Sequence, residues 1–317
     1  MKRLTQALLV VVPALAVCIA CTYPKIGHIT YAIVSSSEAR LYGLHEERVD
    51  IGGLDMATYV GGPADGEAVV MLHGYSADRD VWPRFARHLV NDYRVIIPDL
   101  AGHGSTGFKP EWNYSTPAQA ARVVALLDRL GIRKAHVVGN SMGGFTAAQF
   151  AVAYPERTLS VALIDPAGVK SPVPSDMDKL LAKGRNPFEV QSRADFDTFY
   201  TMTMAQPPFL PGFVLAAMAE NYQSRRVELA RIFTDFHHKY LLDDRLGEIR
   251  APALLLWGRE DRLLHVSSAA VWAAGLPNEQ VVLMDGIGHM PMVERPAETA
   301  ALYRQFLANL MPQGNRS

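Results

Sequence analysis

Residues 135–145, Ala-His-Val-Val-Gly-Asn-Ser-Met-Gly-Gly-Phe, crowd Gly139, Gly143 and Gly144 around a single serine, Ser141. The segment Gly139-Asn140-Ser141-Met142-Gly143 has the form G-x-S-x-G. It follows an apolar run at 135–138 that reads as a strand and precedes a helical pattern beginning near Gly144. In that strand, turn and helix context a serine sits on a strained elbow with its hydroxyl exposed at the helix N-terminus. Glycines are needed on both sides because side chains would collide where the chain turns so sharply. Ser141 is therefore a candidate nucleophile, the alternative being a serine that only caps the helix.

Working outward, short apolar runs recur at 68–72, 94–97, 161–164, 253–257 and 280–284. They are rich in Val, Ile and Leu and do not alternate with polar residues, as expected of strands buried on both faces. Ahead of them, segments 49–51 and 56–60 flank Gly52-Gly53 and predict a hairpin. One helix is well marked: Thr116 is expected to cap it, Pro117 to take its first position, Gln119 to complete a capping box and Gly131 to follow its end. Strands separated by helices imply an α/β fold with a mostly parallel central sheet flanked by helices and joined by right-handed crossovers.

That rhythm breaks after Asp165-Pro166-Ala167-Gly168. From 169 to 247 the chain is rich in Met, Phe, Pro and paired charges and reads as helices inserted between core strands, a helical cap. The core then has two parts, residues 22–168 and 248–317, and residues 313–317 read as a loose tail. The first 21 residues differ from all the rest: Met1-Lys2-Arg3 is basic, 7–20 is almost wholly apolar, and Ala20-Cys21 ends the run. This is the layout of an export signal peptide or a short membrane anchor. Cys18-Ile19-Ala20-Cys21 resembles a bacterial lipoprotein processing box with Cys21 as the lipidated residue, departing from it at Cys18. Both cysteines of the chain lie in this segment, which leaves no cysteine pair for a disulfide in the remainder.

The chain has 317 residues, is 49% hydrophobic and carries 31 basic against 32 acidic residues. A net charge of −1 gives no field to draw in a polyanion, so nucleic acid is not an expected partner. Gly102-His103-Gly104-Ser105-Thr106-Gly107 matches the dinucleotide fingerprint G-x-G-x-x-G. That fingerprint requires a helix to begin at the glycines, whereas Phe108-Lys109-Pro110 follows here, which argues against nucleotide binding.

A serine hydroxyl needs a base and something to orient that base. His289, in Asp285-Gly286-Ile287-Gly288-His289, follows the last expected strand, and Asp261, in Trp257-Gly258-Arg259-Glu260-Asp261, follows the one before it. With Ser141 they fall at the carboxyl ends of parallel strands, on one sheet edge. Asp261 could instead cap a helix, with Glu260 or Asp165 as the working carboxylate. Two backbone donors would receive an oxyanion, the N–H of Met142 and, from the loop His73-Gly74-Tyr75, the N–H of Tyr75. The adjacent pair His237-His238 has no carboxylate or cysteine at ligand spacing and reads as structural; no metal or cofactor is expected.

His73-Gly74, Pro98-Asp99-Leu100-Ala101-Gly102-His103-Gly104-Ser105, the elbow, Trp257-Gly258-Arg259-Glu260-Asp261 and Gly288-His289 together resemble the α/β-hydrolase superfamily. More narrowly, Asn140, Asp165-Pro166-Ala167-Gly168, Asn186-Pro187-Phe188 and Pro207-Pro208-Phe209-Leu210-Pro211 are similar to bacterial lipases of the Moraxella and Psychrobacter type, and more loosely to monoacylglycerol lipases. The resemblance implies a serine hydrolase acting on acylglycerols and other carboxylic esters, with Ser141, Asp261 and His289 as the triad and Tyr75 and Met142 as oxyanion donors. Met202, Met204, Phe209, Leu210, Phe213, Leu215 and Met218 are candidates for an apolar acyl groove in the cap, the alternative for any one of them being ordinary cap core. Carbon–carbon bond hydrolases of the same superfamily, and a non-catalytic binding protein on the same fold, are the alternative readings.

Overall fold

The computed structural model describes residues 2–310, with side chains from Thr22 to Leu310. In chain order the elements are α1 (Lys2–Leu41), β1 (Leu44–Asp50), β2 (Asp55–Gly61), β3 (Ala68–Leu72), α2 (Pro83–Ala86), β4 (Arg94–Pro98), α3 (Thr116–Arg129), β5 (Ala135–Asn140), α4 (Met142–Ala153) and β6 (Thr158–Ile164). Then follow α5 (Asp176–Leu181), α6 (Arg193–Thr203), α7 (Gly212–Ser224), α8 (Arg226–Phe236), β7 (Ala253–Gly258), α9 (Ser268–Gly275), β8 (Glu279–Met284), α10 (Pro291–Glu294) and α11 (Pro296–Leu310). The strands form one eight-stranded sheet in the order β1-β2-β4-β3-β5-β6-β7-β8. β1 and β2 are antiparallel to each other and β2 to β4, and all the remaining pairs are parallel.

Each apolar run expected to be a strand is one, lengthened by up to three residues. β3, β5 and β7 are buried along their whole length, because the sheet carries a layer of side chains on each face. On one face Leu126, Phe150 and Trp272 belong to a core with α3, α4 and α9; on the other Trp82, Phe85, Tyr303 and Phe306 pack with α2 and α11. The predicted hairpin joins β1 to β2 in the register Asp50 to Asp55, and its turn places Gly52 and Gly53 at φ 91° and 88°, a region other residues seldom adopt.

One expectation is corrected. The cap of α3 is Ser115, whose hydroxyl accepts from Ala118 N at 3.4 Å; Thr116 is the first helical residue. Pro117 has no N–H to offer, so the cap reaches the next donor. The Gln119 side chain does not close a box but donates to Ala101 O at 2.8 Å. At the N-terminus, α1 extends to Leu41, past the basic and apolar segment 1–21. Tertiary packing carries the extension: a Cβ on Gly27 would collide with the Phe213 carbonyl of α7, and His28 bonds Glu220 at 2.9 Å. The lipoprotein-type box at Cys18 to Cys21 lies outside the described side chains, and the tail 313–317 outside the described residues. Among the described residues no helix is long and apolar enough to cross a membrane.

Between β6 and β7 the chain forms α5 to α8 and, among the described residues, no strand. The segment 102–107 is a tight loop with a single 3-10 turn, and the next helix begins only at Thr116.

Candidate active site

β5 ends at Asn140 and α4 begins at Met142, so Ser141 is the entire connection. Its backbone sits at φ 58° and ψ −120°, a conformation that costs a residue with a side chain on the order of 1–3 kcal/mol. It occupies the N-cap position of α4, yet its hydroxyl makes no capping hydrogen bond. The strain is held by the surroundings: Ser141 N donates to Ile164 O at 3.0 Å, Phe145 N and Ala167 N donate to Ser141 O, and a Cβ on Gly139 would strike the Gly143 carbonyl.

Asp261 lies three residues beyond β7 and His289 five beyond β8, and both are buried. His289 Nδ1 donates to Asp261 Oδ2 at 2.7 Å. The other carboxylate oxygen, Oδ1, accepts from Leu263 N at 2.8 Å and Leu264 N at 2.9 Å. With Nδ1 as donor, the neutral ring keeps Nε2 free of a proton. Glu260 is exposed and does not compete for the histidine. Asn140, whose position the sequence does not explain, clamps this edge together: its Nδ2 donates to His289 O at 2.9 Å and to Ile164 O at 3.2 Å.

Gly74 passes directly over the elbow, where a Cβ would lie 3.1 Å from Ser141 Cβ. The Tyr75 side chain turns away: its hydroxyl donates to Leu229 O at 2.6 Å and its ring packs against Phe188, Phe233 and Phe236. This leaves the backbone of the loop, rather than the phenol, beside Ser141. His73 fixes the loop from behind. Its Nδ1 donates to Gly74 O at 2.8 Å and its Nε2 accepts from Leu100 N at 3.0 Å, while burial pushes the imidazole down to about 4, so it stays neutral.

Two cavities meet at Ser141. One, about 670 Å³, is walled by Phe145, Met177, Phe188, Phe236 and Leu263, with His237, His238 and His265 around it. The other, about 290 Å³, contains His289 and Asn140 as well as Ser141 and runs beneath α1, past Tyr31, Ser35 and Glu38. Of the residues expected in an apolar groove, Met204, Leu210 and Met218 line this second cavity, whereas Phe209 is 91% exposed. His237 stacks on Phe233 with ring centres 4.1 Å apart.

Asp165, Asp261 and His289 place three potential ligand atoms within 4.8 Å of one another. Asp261 and His289 are committed to each other and to backbone donors, so the group reads as a hydrogen-bonded set rather than a cation site.

Residues 67–296 match the family model of the alpha/beta hydrolase fold. The chain is 33% identical over 261 residues to lipase 1 of Psychrobacter immobilis, covering 80% of each chain. It is 30% identical to monoacylglycerol lipase abhd6-B of Xenopus laevis over 270 residues, covering 80% of this chain and 79% of that one. Among solved structures, a membrane phospholipase A described as a bacterial virulence factor superposes with a TM-score of 0.86 at 37% identity, covering 98% of this chain and 99% of the other. The protein belongs to the α/β-hydrolase family.

Proposed function

We propose that Ser141, Asp261 and His289 are the catalytic triad with which this lipase/esterase hydrolyses carboxylic esters of glycerol. The observation that carries the reading is a strained, uncapped serine opening on the same cavity as a histidine whose far nitrogen is held by a buried carboxylate at 2.7 Å. His289 Nε2 takes the proton of Ser141 Oγ as that oxygen attacks the ester carbonyl, and Asp261 stabilises the imidazolium so formed. The N–H groups of Tyr75 and Met142 receive the oxyanion, each worth about 3–4 kcal/mol in the transition state. His289 returns the proton to the departing alcohol. Water, activated by the same nitrogen, then cleaves the acyl-enzyme and restores Ser141.

Helices α5 to α8 act as the cap over this site. The larger cavity takes the acyl chain. The smaller one carries Glu38, Asp78, Asp80, Arg84 and Arg225 in its wall and takes the alcohol side of the ester. The likeness to a membrane phospholipase A adds glycerophospholipids to acylglycerols as candidate substrates. The basic and apolar N-terminal segment directs export and holds the enzyme at the cell envelope.

An ester panel, running from short p-nitrophenyl esters through monoacylglycerols and triglycerides to diacyl phospholipids, tests the reading on wild type and Ser141→Ala. Hydrolysis of glycerol esters by the wild type, lost in the variant, is expected. Activity confined to the carbon–carbon bond of a phenyl-ring dienoate would overturn it.

A further inference from the structure

One buried acid beside the triad has no part in the chemistry above. Asp165 follows directly on β6, continues the sheet by donating its N–H to Leu256 O at 2.9 Å, and is fully buried. Its backbone is left-handed, at φ 44°. Oδ1 accepts from Gly258 N at 2.8 Å, whereas Oδ2 meets no N–H or O–H group. The neighbour of that side chain is the Asp261 carboxylate, with a ring nitrogen of His289 in the same 4.8 Å cluster.

Two buried carboxyls this close do not both ionise; one keeps a proton. Which one keeps it follows from the donors. Asp261 accepts three N–H bonds, from Leu263, Leu264 and His289, which favour its charged form, while Asp165 accepts one. We propose that Asp165 is a positioning residue held as the neutral acid, whose Oδ2–H donates to Asp261 and fixes that carboxylate against His289. This rests on the triad reading. Burial, and then the Asp261 charge, push the Asp165 carboxyl well above the usual carboxylate range, in agreement with the hydrogen bonding. The charged and titratable groups facing it are Asp261 from the loop after β7, His289 from the loop after β8, and Glu294 of α10, whose negative charge acts in the same direction. The buried set of Asp165, Asp261 and His289 then carries one negative charge at rest and none once His289 has taken the serine proton.

Asparagine is the matching variant, since it tolerates a positive φ, can accept from Gly258 N through Oδ1 and can donate to Asp261 through Nδ2. Steady-state ester hydrolysis from pH 5 to 9 compares wild type, Asp165→Asn, Asp165→Gly, Asp261→Asn and Ser141→Ala. Asp165→Asn is expected to keep kcat within about threefold and to reproduce the wild-type pH profile. Asp165→Gly, which removes the donor while permitting the backbone, loses about 10- to 100-fold in kcat with KM little changed, the worth of one hydrogen bond to a charged group. The proposal is overturned if Asp165→Asn falls as far as Asp261→Asn, if its acid limb moves down by about one pH unit as loss of a negative charge beside His289 would require, or if Asp165→Gly keeps full kcat. Should the glycine variant not fold, the asparagine profile alone decides. Ser141→Ala and Asp261→Asn report on the triad separately: activity retained in either means that the triad assignment, not the protonation of Asp165, has failed.

Discussion

Replacing Gly143 by alanine tests how the elbow is built. Gly143 lies in the first turn of α4, where that turn presses on the end of β3. An added Cβ would stand 2.5 Å from His73 O and closer still to Leu72 O, against a floor of 3.0 Å for real contacts. The gap must therefore open by at least 0.5 Å at His73 (3.0 less 2.5) and by more at Leu72. Both obstacles are backbone carbonyls, so no rotamer change relieves them. Overpacking of this kind costs up to about 3 kcal/mol, and about 3 kcal/mol corresponds to a fall of roughly 5–10 °C in Tm for a domain this large. The displaced strand end leads straight into Gly74 and Tyr75, so the proposed oxyanion donor shifts as well. A displacement approaching 1 Å in a reacting geometry costs about 100-fold in rate. Gly131→Ala is the control: a Cβ there would meet nothing within 4 Å, so it feels only the strain of its positive φ, 70°, whereas Gly143 has no positive φ and feels only the collision. Thermal melts and p-nitrophenyl ester kinetics on the two variants give the answer. Gly143→Ala with the melting point and kcat of Gly131→Ala would refute the reasoning.

Other outcomes follow from the packing and electrostatics. Ser115→Ala should destabilise the protein by about 1 kcal/mol through loss of the α3 cap, and Thr116→Ala by less, in urea unfolding; the reverse order would restore Thr116 as the cap. Burial, and then Asp78, push Asp80 up to about 6 from an ordinary value of 3.8. Between those pH values the folded protein therefore holds a proton that the unfolded chain has released, and this contribution to stability is lost as pH rises from about 4 to 6. Asp80→Asn removes that loss, so its stability relative to wild type should climb by about 2 kcal/mol over this interval, solvent in the adjoining cavity reducing the full shift. A difference between the two urea midpoints that stays flat with pH would contradict the assignment.

The core of the fold was legible because strands buried on both faces leave unbroken runs of Val, Ile and Leu, as at 68–72 and 253–257, and because a G-x-S-x-G turn permits few backbone paths. Ser141, Asp261 and His289 could be placed on one sheet edge for the same reason: each follows the carboxyl end of a parallel strand. What escaped depends on contacts distant in sequence. The continuation of α1 to Leu41 is set by its packing on α7, which no local pattern in 22–41 announces. Asn140 reads as a family marker until its side chain is seen bridging Ile164 and His289. Asp165 reads as an alternative triad acid until the three donors on Asp261 are set against its one. Exposed Phe209 shows the converse error, a large apolar residue assigned to a groove from composition although nothing covers it.

The central claim is that Ser141 Oγ is the nucleophile. A fluorophosphonate probe followed by intact-mass and peptide analysis tests it most directly. A single adduct on Ser141, absent from Ser141→Ala together with a fall in ester hydrolysis of at least about 1,000-fold, is the predicted result; an adduct on another residue, or a Ser141→Ala protein that still cleaves esters near the wild-type rate, would contradict it.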